Sequence, residues 1–267
     1  MRLLIVDTFA TATYTVPVTS NWVPHPEVLG VELVDRLTSE TVAEDTAVLA
    51  SSSEIPRLQQ THVVVGDVAV VADGVGAITM RTPVRPDEVE ATPVRLLDTS
   101  DAAELLARAT LKPFYGIEPT RWVRDDDSPE AARSEVVIVE GAEALREPEG
   151  GFSEDLSKAW FILTAQPVVS HVLLVPRTLP PGLLKDIVEF LDAVRVAGHE
   201  RRRDWRPQLA DREGIGRDRA SAFWAAQRLR LEETDQRALL DLLQKGSRGT
   251  SRPPLRSVEF IEGAETE

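Results

Sequence analysis

Two turns rich in hydroxyl groups follow apolar runs of the sequence, and turns of this kind can hold a small anion. Ser51 and Ser52 follow the run AVLA, and Thr99 and Ser100 separate the run VRLL from the amphipathic run AAELLARA. Hydroxyl groups and the free backbone N–H groups at a helix start donate hydrogen bonds to a carboxylate. The two turns are therefore candidate carboxylate-binding elements.

Helix capping is the competing interpretation of both turns. Asp101 and Glu104 form a D-x-x-E pattern related to the capping box, and one serine of SSSEI suffices to cap a helix that begins at Glu54. Three successive serines are more than one cap requires. The pattern alone favours a capped helix after a buried strand and leaves anion binding open.

Other polar residues stand next to strand-like runs. Asp73 and Gly74 in VADGVGAITM suit a tight turn between two strands. The segment YTVPVTSNW follows the first strand and is expected to be a loop, which is where α/β proteins often bind ligands. His171 lies in the apolar run VVSHVLLV, where a single histidine is more often a hydrogen-bonded structural residue than a base.

Composition limits the classes of function. The 267-residue chain has no cysteine and four widely separated histidines, which argues against a disulfide framework, a thiol nucleophile and a metal site. A net charge of −14 argues against a nucleic-acid partner, although a cleft can be locally positive for a small anion. The start MRLLIVDTF lacks a signal-peptide pattern, and no apolar run is long enough to span a membrane, so we expect a cytoplasmic protein.

Strand-like and helical patterns alternate along most of the chain, which predicts an α/β protein with a largely parallel sheet. After LPPG the sequence is helical. RDDDSPEAARSE and REPEGGFSED are expected to be surface loops, and the segment beyond GSRGTSRPPL is expected to fray.

The order of these landmarks resembles a known family. SSSEI, VVADGVGAITM, LLDTSDAAELLARATLKPFYGIEP, VVIVEGAEAL and DLSKAWFILTAQPVVSHVLLVPR occur in the order and spacing of the futalosine-pathway menaquinone biosynthesis proteins. Positions that match family motifs are Asp73-Gly74, Thr99-Ser100, Gly141, Ala144-Leu145, Asp155-Leu156, Trp160, Thr164 and Pro167. The last helix pair, FWAAQRLRLEETDQRALLDLL, is also similar, so the resemblance covers nearly the whole chain.

The resemblance implies the fold of type II periplasmic binding proteins, an α/β fold with two lobes and a ligand cleft between them. We expect lobe 1 to comprise residues 1–88 and 176–267, and lobe 2 residues 89–175, with crossings near 85–92 and 173–178. The residues that the resemblance assigns to binding of a small anionic carboxylate are Ser51, Ser52, Asp73, Gly74, Thr99, Ser100 and Thr164.

The chain departs from the family near its N-terminus. The family's Y/F-x-N-x-x-P element places an asparagine in the cleft, whereas DTFATATYTVPV has Ala10 or Thr11 there. Ala142 replaces the aspartate of the family's I-G-D-x-A-L motif. The missing asparagine bears on catalysis more than on the fold or on binding.

The resemblance implies a chorismate dehydratase, which removes water from chorismate to give 3-[(1-carboxyvinyl)oxy]benzoate and needs no cofactor or metal. Thr11 and His171 are the candidate residues for proton transfer, and a substrate carboxylate is the alternative base. Two further hypotheses stay open. One is a cytoplasmic protein that binds a small carboxylate without turnover, and the other is a related enzyme with a different substrate, including the naphthoate synthase step.

Overall fold

The computed structural model describes residues 1–38, 42–124, 134–250 and 255–263. The strands are β1 (Arg2–Val6), β2 (Gly30–Val34), β3 (Thr46–Ser51), β4 (His62–Ala72), β5 (Ile78–Thr82), β6 (Ala91–Leu97), β7 (Glu118–Arg124), β8 (Val136–Glu140), β9 (Phe152–Asp155), β10 (Val168–Pro176), β11 (Gln227–Arg228) and β12 (Phe260–Ile261). The helices are α1 (Ala12–Thr19), α2 (Ile55–Leu58), α3 (Asp101–Thr110), α4 (Ala142–Leu145), α5 (Leu156–Thr164), α6 (Pro181–Glu200), α7 (Arg202–Arg212), α8 (Arg217–Ala225) and α9 (Glu233–Gly246). None of these helices is both long and apolar enough to cross a membrane.

The strands form two sheets, and each sheet with its helices is one lobe. The sheet of lobe 1 has the order β11-β4-β10-β3-β1-β2, with β12 also paired to β4, and the sheet of lobe 2 has the order β7-β6-β8-β5-β9. The predicted two-lobed α/β fold is confirmed.

Both sheets are mixed, so the prediction of a largely parallel sheet is wrong. In lobe 1, β1 is parallel to β2 and β3, whereas β10 is antiparallel to β3 and β4. In lobe 2, β6 is parallel to β7 and β8, whereas β5 is antiparallel to β8 and β9. Strand β5 is the first strand after the chain passes into lobe 2, and β10 is the first strand after it returns to lobe 1; both are antiparallel to their neighbours.

The chain crosses between the lobes earlier than predicted. It leaves lobe 1 after Ala72 and joins the sheet of lobe 2 at Ile78, and it returns between Thr164 and Val168. The expected crossings near 85–92 and 173–178, and the boundaries after residues 88 and 175, are therefore too late. Apolar strands flank both crossings, so the hydrophobic pattern does not change where the chain changes lobe.

Two segments that the sequence predicts to be irregular are ordered. YTVPVTSNW overlaps α1, whose residues Tyr14 and Val18 pack into the core of lobe 1. The C-terminal segment contributes β12, which pairs in parallel with Val64 and Val65 of β4. Most of RDDDSPEAARSE lies outside the described residues, as do residues 251–254 and 264–267 of the tail.

Helices cover both faces of the lobe 1 sheet. Alternate residues of β1 point to opposite faces, so Leu3 and Ile5 pack with α1 and α6, whereas Leu4 and Val6 pack with α2 and α9. Each buried leucine side chain contributes roughly 1.5–3 kcal/mol to folding. The sheet is thereby fixed as the base of lobe 1, with the carboxyl ends of β1 and β3 at one edge.

Helices α3 and α9 join the lobes behind the cleft. Leu105 of α3 packs with Leu239 and Leu243 of α9 and with side chains of the lobe 1 sheet. Gly246 allows the two helices to approach closely, because a Cβ atom there would lie 2.5 Å from the carbonyl oxygen of Leu105. This contact fixes where the N-terminus of α3 lies relative to lobe 1.

Candidate functional site

A cavity of about 680 Å³ lies between the two lobes, and we call it the interlobe cleft. Lobe 1 lines it from the ends of β1, β3 and β10, and lobe 2 lines it from the ends of β6 and β8 and the start of α5. The polar side chains in its lining include Thr8, Arg36, Ser51, Ser53, Thr99, Ser100, Arg124, Glu140, Ser157, Ser170, His171 and Gln227.

The serine turn after β3 presents Ser51 and Ser53 to the cleft. Their hydroxyl groups hydrogen-bond each other at 2.8 Å, and the Ser51 oxygen also accepts from the backbone N–H of Ser53 at 3.4 Å. Ser52 is different, because its buried hydroxyl donates to the carbonyl oxygen of Val169 at 2.7 Å. The predicted binding role therefore fits the position of Ser51 but not of Ser52, which does not line the cleft.

The turn before α3 lines the cleft from lobe 2, as the sequence predicts. Ser100 is the N-cap of α3, and its hydroxyl oxygen accepts from the backbone N–H of Ala103 at 3.3 Å. The cap is thus Ser100 rather than the predicted Asp101–Glu104 pair. Thr99 is 9% exposed, and its hydroxyl has no hydrogen-bond partner among the described residues.

Glu140 already occupies the hydrogen-bond donors of Ser100. Its carboxylate accepts from the backbone N–H of Ser100 at 2.5 Å and from the Ser100 hydroxyl at 2.9 Å. Glu140 ends β8, is half-buried and lines the cleft. The carboxylate that we expected from a ligand at this helix start is therefore supplied by the protein itself.

Glu140 has charged neighbours of both signs, Arg124 and Asp98. Burial raises the pKa of Glu140, and the two hydrogen bonds from Ser100 oppose that shift. Arg124 also acts on Glu140, and it donates to the carbonyl oxygen of Thr99 and to the carboxylates of Asp101 and Glu104. Its charge is thus engaged within lobe 2.

Two further polar atoms in the cleft lining lack a partner. The hydroxyl of Ser157, at the start of α5, and the side-chain oxygen of Gln227 are buried without a hydrogen bond to any described residue. Gly76 lies directly against Ser157, because a Cβ atom at position 76 would be 2.0 Å from the Ser157 oxygen. Buried polar groups usually have partners, so a ligand group brought against these atoms would satisfy them.

His171 lines the cleft from β10 and is 4% exposed. Its Nδ1 lies 3.1 Å from the hydroxyl of Ser170, and its Nε2 lies 3.4 Å from the hydroxyl of Thr8. Burial lowers its pKa to about 4, so the imidazole is neutral near pH 7. The neutral imidazole has a lone pair that can accept a proton, but its lowered pKa makes it a weak base.

An aromatic wall closes one side of the cleft. Phe9 and Phe223 both line it, with ring centroids 5.5 Å apart, and Phe9 also stacks on Trp224 at 4.8 Å. Such a wall suits a flat or cyclic ligand that carries its polar groups at the edges.

Four other predicted site residues lie outside the cleft lining. Thr11 is fully buried at the start of α1, and its hydroxyl donates to the carbonyl oxygen of Val6 at 2.7 Å. Asp73 pairs with Arg228 at 2.8 Å. Gly74 forms a turn with φ +69°. The Thr164 hydroxyl donates within α5 to the carbonyl oxygen of Trp160 at 2.7 Å.

The two threonines among these residues lie outside the cleft lining for the same physical reason. Thr11 and Thr164 use their hydroxyl groups for local backbone contacts at helix ends, as threonine commonly does. Thr8, rather than Thr11, lines the cleft after β1. Sequence reasoning overlooked Glu140, although a charged residue that ends the apolar run VVIV at the carboxyl end of a strand was a usable signal. It gave no signal for Ser157, whose hydroxyl lies where a side chain at position 76 would otherwise be.

Two lobes with a polar, aromatic-walled cleft between them define a protein of the periplasmic-binding-protein fold class. Solved structures agree. Protein AF1704 from Archaeoglobus fulgidus is 15% identical with a TM-score of 0.66, covering 92% of this chain and 96% of that one. The periplasmic aliphatic sulphonate binding protein SsuA from Escherichia coli is 10% identical with a TM-score of 0.60, covering 100% and 95%. SsuA from Xanthomonas axonopodis pv. citri, bound to MOPS, is 11% identical with a TM-score of 0.61, covering 98% of both chains.

Within this class, the chain belongs to the family described as "Menaquinone biosynthesis". The family model matches residues 16–248, which is most of the chain. The resemblance to this family is therefore confirmed. No curated protein gives a significant match.

Proposed function

We propose that this protein is a chorismate dehydratase-like lyase of menaquinone biosynthesis, which removes water from chorismate to give 3-[(1-carboxyvinyl)oxy]benzoate. One observation carries the proposal. In a chain of this family, the interlobe cleft combines an aromatic wall with buried hydroxyl groups of lobe 2, on Thr99 and Ser157, that have no hydrogen-bond partner among the described residues. A cyclic substrate with polar groups at its edge fits such a surface.

The proposed binding mode places the chorismate ring against Phe9 and Phe223. The hydroxyl groups of Ser51 and Ser53 hold a substrate carboxylate on the lobe 1 side, and Arg36 lines the same side. Thr99 and Ser157 supply hydrogen bonds from lobe 2. Fixing the ring between the lobes lowers the entropic part of the barrier to elimination.

The reaction breaks one ring C–H bond and one C–O bond. A base takes the proton, and the electron pair of the C–H bond becomes part of the aromatic ring. The hydroxyl group leaves with the electron pair of the C–O bond and takes the proton from the protonated base, so that water departs. We propose His171 as the base, since its imidazole is neutral and lines the cleft. A carboxylate of the substrate is the alternative base.

Incubation of the purified protein with chorismate tests the proposal. Liquid chromatography with mass spectrometry should show a product lighter than chorismate by one water, formed faster than in a protein-free control. Unchanged chorismate would contradict the proposal.

Binding of a small carboxylate without turnover is the second candidate function, and one observation favours it. Of the two residues that the sequence offers for proton transfer, only His171 lines the cleft, because Thr11 is buried beneath it. Calorimetry that detects chorismate binding, together with chromatography that detects no product, would support this function.

A further inference from the structure

Glu140 distinguishes one end of the cleft from the other. At the lobe 2 end, Glu140 accepts both donors of Ser100 at the N-terminus of α3. A helix N-terminus normally attracts an anion through these donors. Here an internal carboxylate takes that place, so a ligand carboxylate cannot use the same donors unless Glu140 leaves them.

Charges of both signs surround Glu140. Asp98 adds negative potential, and Arg124 adds positive potential while it donates its hydrogen bonds to Thr99, Asp101 and Glu104. The unpartnered hydroxyl of Thr99 borders the same part of the cleft. A ligand here meets the Glu140 carboxylate, the Thr99 hydroxyl and the guanidinium of Arg124, whose hydrogen bonds are already made within lobe 2.

Lobe 1 offers more hydrogen-bond donors. Ser51, Ser53 and Arg36 line the cleft there with two hydroxyl groups and a guanidinium, beside the carboxylate of Asp35. Glu54 also lines this side, but its carboxylate pairs with Arg57 at 2.7 Å. A ligand anion is therefore better accommodated on the lobe 1 side.

We infer that Glu140 determines which ligand the cleft binds. It accepts a hydrogen bond from a ligand hydroxyl at the lobe 2 end of the cleft and excludes a ligand carboxylate from that position. The ligand class is a ring acid whose carboxylate lies at lobe 1 and whose hydroxyl lies across the ring at Glu140. The inference deepens the proposed function and rests on it in one respect, that the cleft is the ligand site. In chorismate, the hydroxyl that departs lies across the ring from the ring carboxylate.

Isothermal titration calorimetry with three ring acids tests this inference: benzoate, para-hydroxybenzoate and terephthalate. Opposite the shared carboxylate, para-hydroxybenzoate carries a hydroxyl, terephthalate carries a second carboxylate, and benzoate carries neither. The wild-type protein should bind para-hydroxybenzoate at least about tenfold more tightly than terephthalate, because a hydrogen bond to a charged group is gained and a like-charge contact is avoided. Benzoate should fall between them.

Glu140→Gln should reduce this preference by about tenfold or more, mainly through tighter binding of terephthalate, because a carboxamide has no charge and carries an N–H donor. Glu143→Gln is the matched control. Glu143 lies three residues further on, pairs with Arg81 and Arg146, and does not line the cleft, so its removal should leave the preference unchanged. Glu140→Met should likewise abolish the preference if Glu140→Gln does not fold cooperatively.

An unchanged preference in folded Glu140→Gln and Glu140→Met would overturn the inference. Equal binding of terephthalate and para-hydroxybenzoate by the wild-type protein would overturn it too, as would a failure of all three acids to bind. Chorismate turnover is a separate readout. Turnover without a preference that depends on Glu140 would refute this inference alone, whereas such a preference without turnover would refute only the proposed reaction.

Discussion

The hydroxyl of Ser52 donates a hydrogen bond of 2.7 Å to the carbonyl oxygen of Val169, which ties the turn after β3 to the strand that returns from lobe 2. Ser52 is thus a structural residue between two serines that face the cleft. Its neighbours Ser51 and Ser53 line the cleft and bond to each other. The sequence SSS does not show which serine is structural and which faces the cleft, but substitution of single serines can distinguish them.

Replacement of Ser52 by alanine should lower the free energy of unfolding by about 1–3 kcal/mol, because the buried carbonyl group of Val169 loses its donor. Affinity for para-hydroxybenzoate should be nearly unchanged. Ser53→Ala should do the reverse and weaken binding by roughly two- to tenfold with little loss of stability. Urea denaturation and calorimetry on both variants measure the two effects, and a similar loss of affinity in both would contradict the assignment.

Arg228 should contribute more to stability than its neighbour Arg230. Arg228 bonds both oxygens of Asp235, whose side chain is 1% exposed, and also pairs with Asp73. Arg228→Met leaves a buried carboxylate without its partner and should cost about 3 kcal/mol in the free energy of unfolding. Arg230→Met breaks only an exposed pair with Asp67 and should cost less than about 1 kcal/mol. Equal losses in urea denaturation would argue against the structural role given to Arg228.

Gly76→Ala should destabilise the protein and disturb the cleft. The new Cβ atom would lie 2.0 Å from the hydroxyl oxygen of Ser157, so α5 must shift, at a cost of about 1–3 kcal/mol. Adding Ser157→Gly removes the clash and should recover part of the loss. Gly182→Ala is the control, because nothing lies within 4 Å of a Cβ atom there. A double variant no more stable than Gly76→Ala, by thermal or urea unfolding, would show that the clash is not the cause.

His171 predicts a pH dependence of stability. Burial lowers its pKa from 6.5 to about 4, so between these values the unfolded chain binds a proton that the folded protein does not. Stability from this residue is therefore present above pH 6.5 and is lost as the pH falls towards 4, by about 3 kcal/mol in all. His171→Asn should remove this loss, whereas the exposed His25→Asn should retain it.

Urea denaturation between pH 4 and 7 measures this dependence as a difference between variants. The comparison cancels the opposing contribution of Glu140, whose raised pKa favours the folded state as the pH falls. If His171→Asn and His25→Asn lose stability in parallel, His171 is not buried as described.

Local patterns predicted the elements but not the lobe to which each belongs. The strand β6, the turn with Thr99 and Ser100, and the helix α3 follow from an apolar run, capping residues and helical periodicity within a few residues of each other. The crossings after Ala72 and before Val168 depend on which sheet accepts the next strand. Strand pairing is long-range, and hydrophobic periodicity does not record it.

The candidate site shows the same limit. Ser51 and His171 line the cleft from the sheet of lobe 1, and Thr99 and Ser100 line it from the sheet of lobe 2, because the strand ends of both sheets face the cleft. Glu140 was overlooked because its role depends on Ser100, forty residues away in sequence. Ser52 lies between two serines that line the cleft, but its own hydroxyl donates to the carbonyl oxygen of Val169 instead.

Chorismate consumption by a cleft-blocked variant tests the central claim most directly. Ser53→Trp places a large side chain in the cleft, and Val196→Trp places the same side chain on the exposed surface of α6. Mass spectrometry should show that the wild-type protein and Val196→Trp convert chorismate to a product lighter by one water, while folded Ser53→Trp does not. Equal conversion by both tryptophan variants, or no conversion by the wild-type protein, would contradict the account.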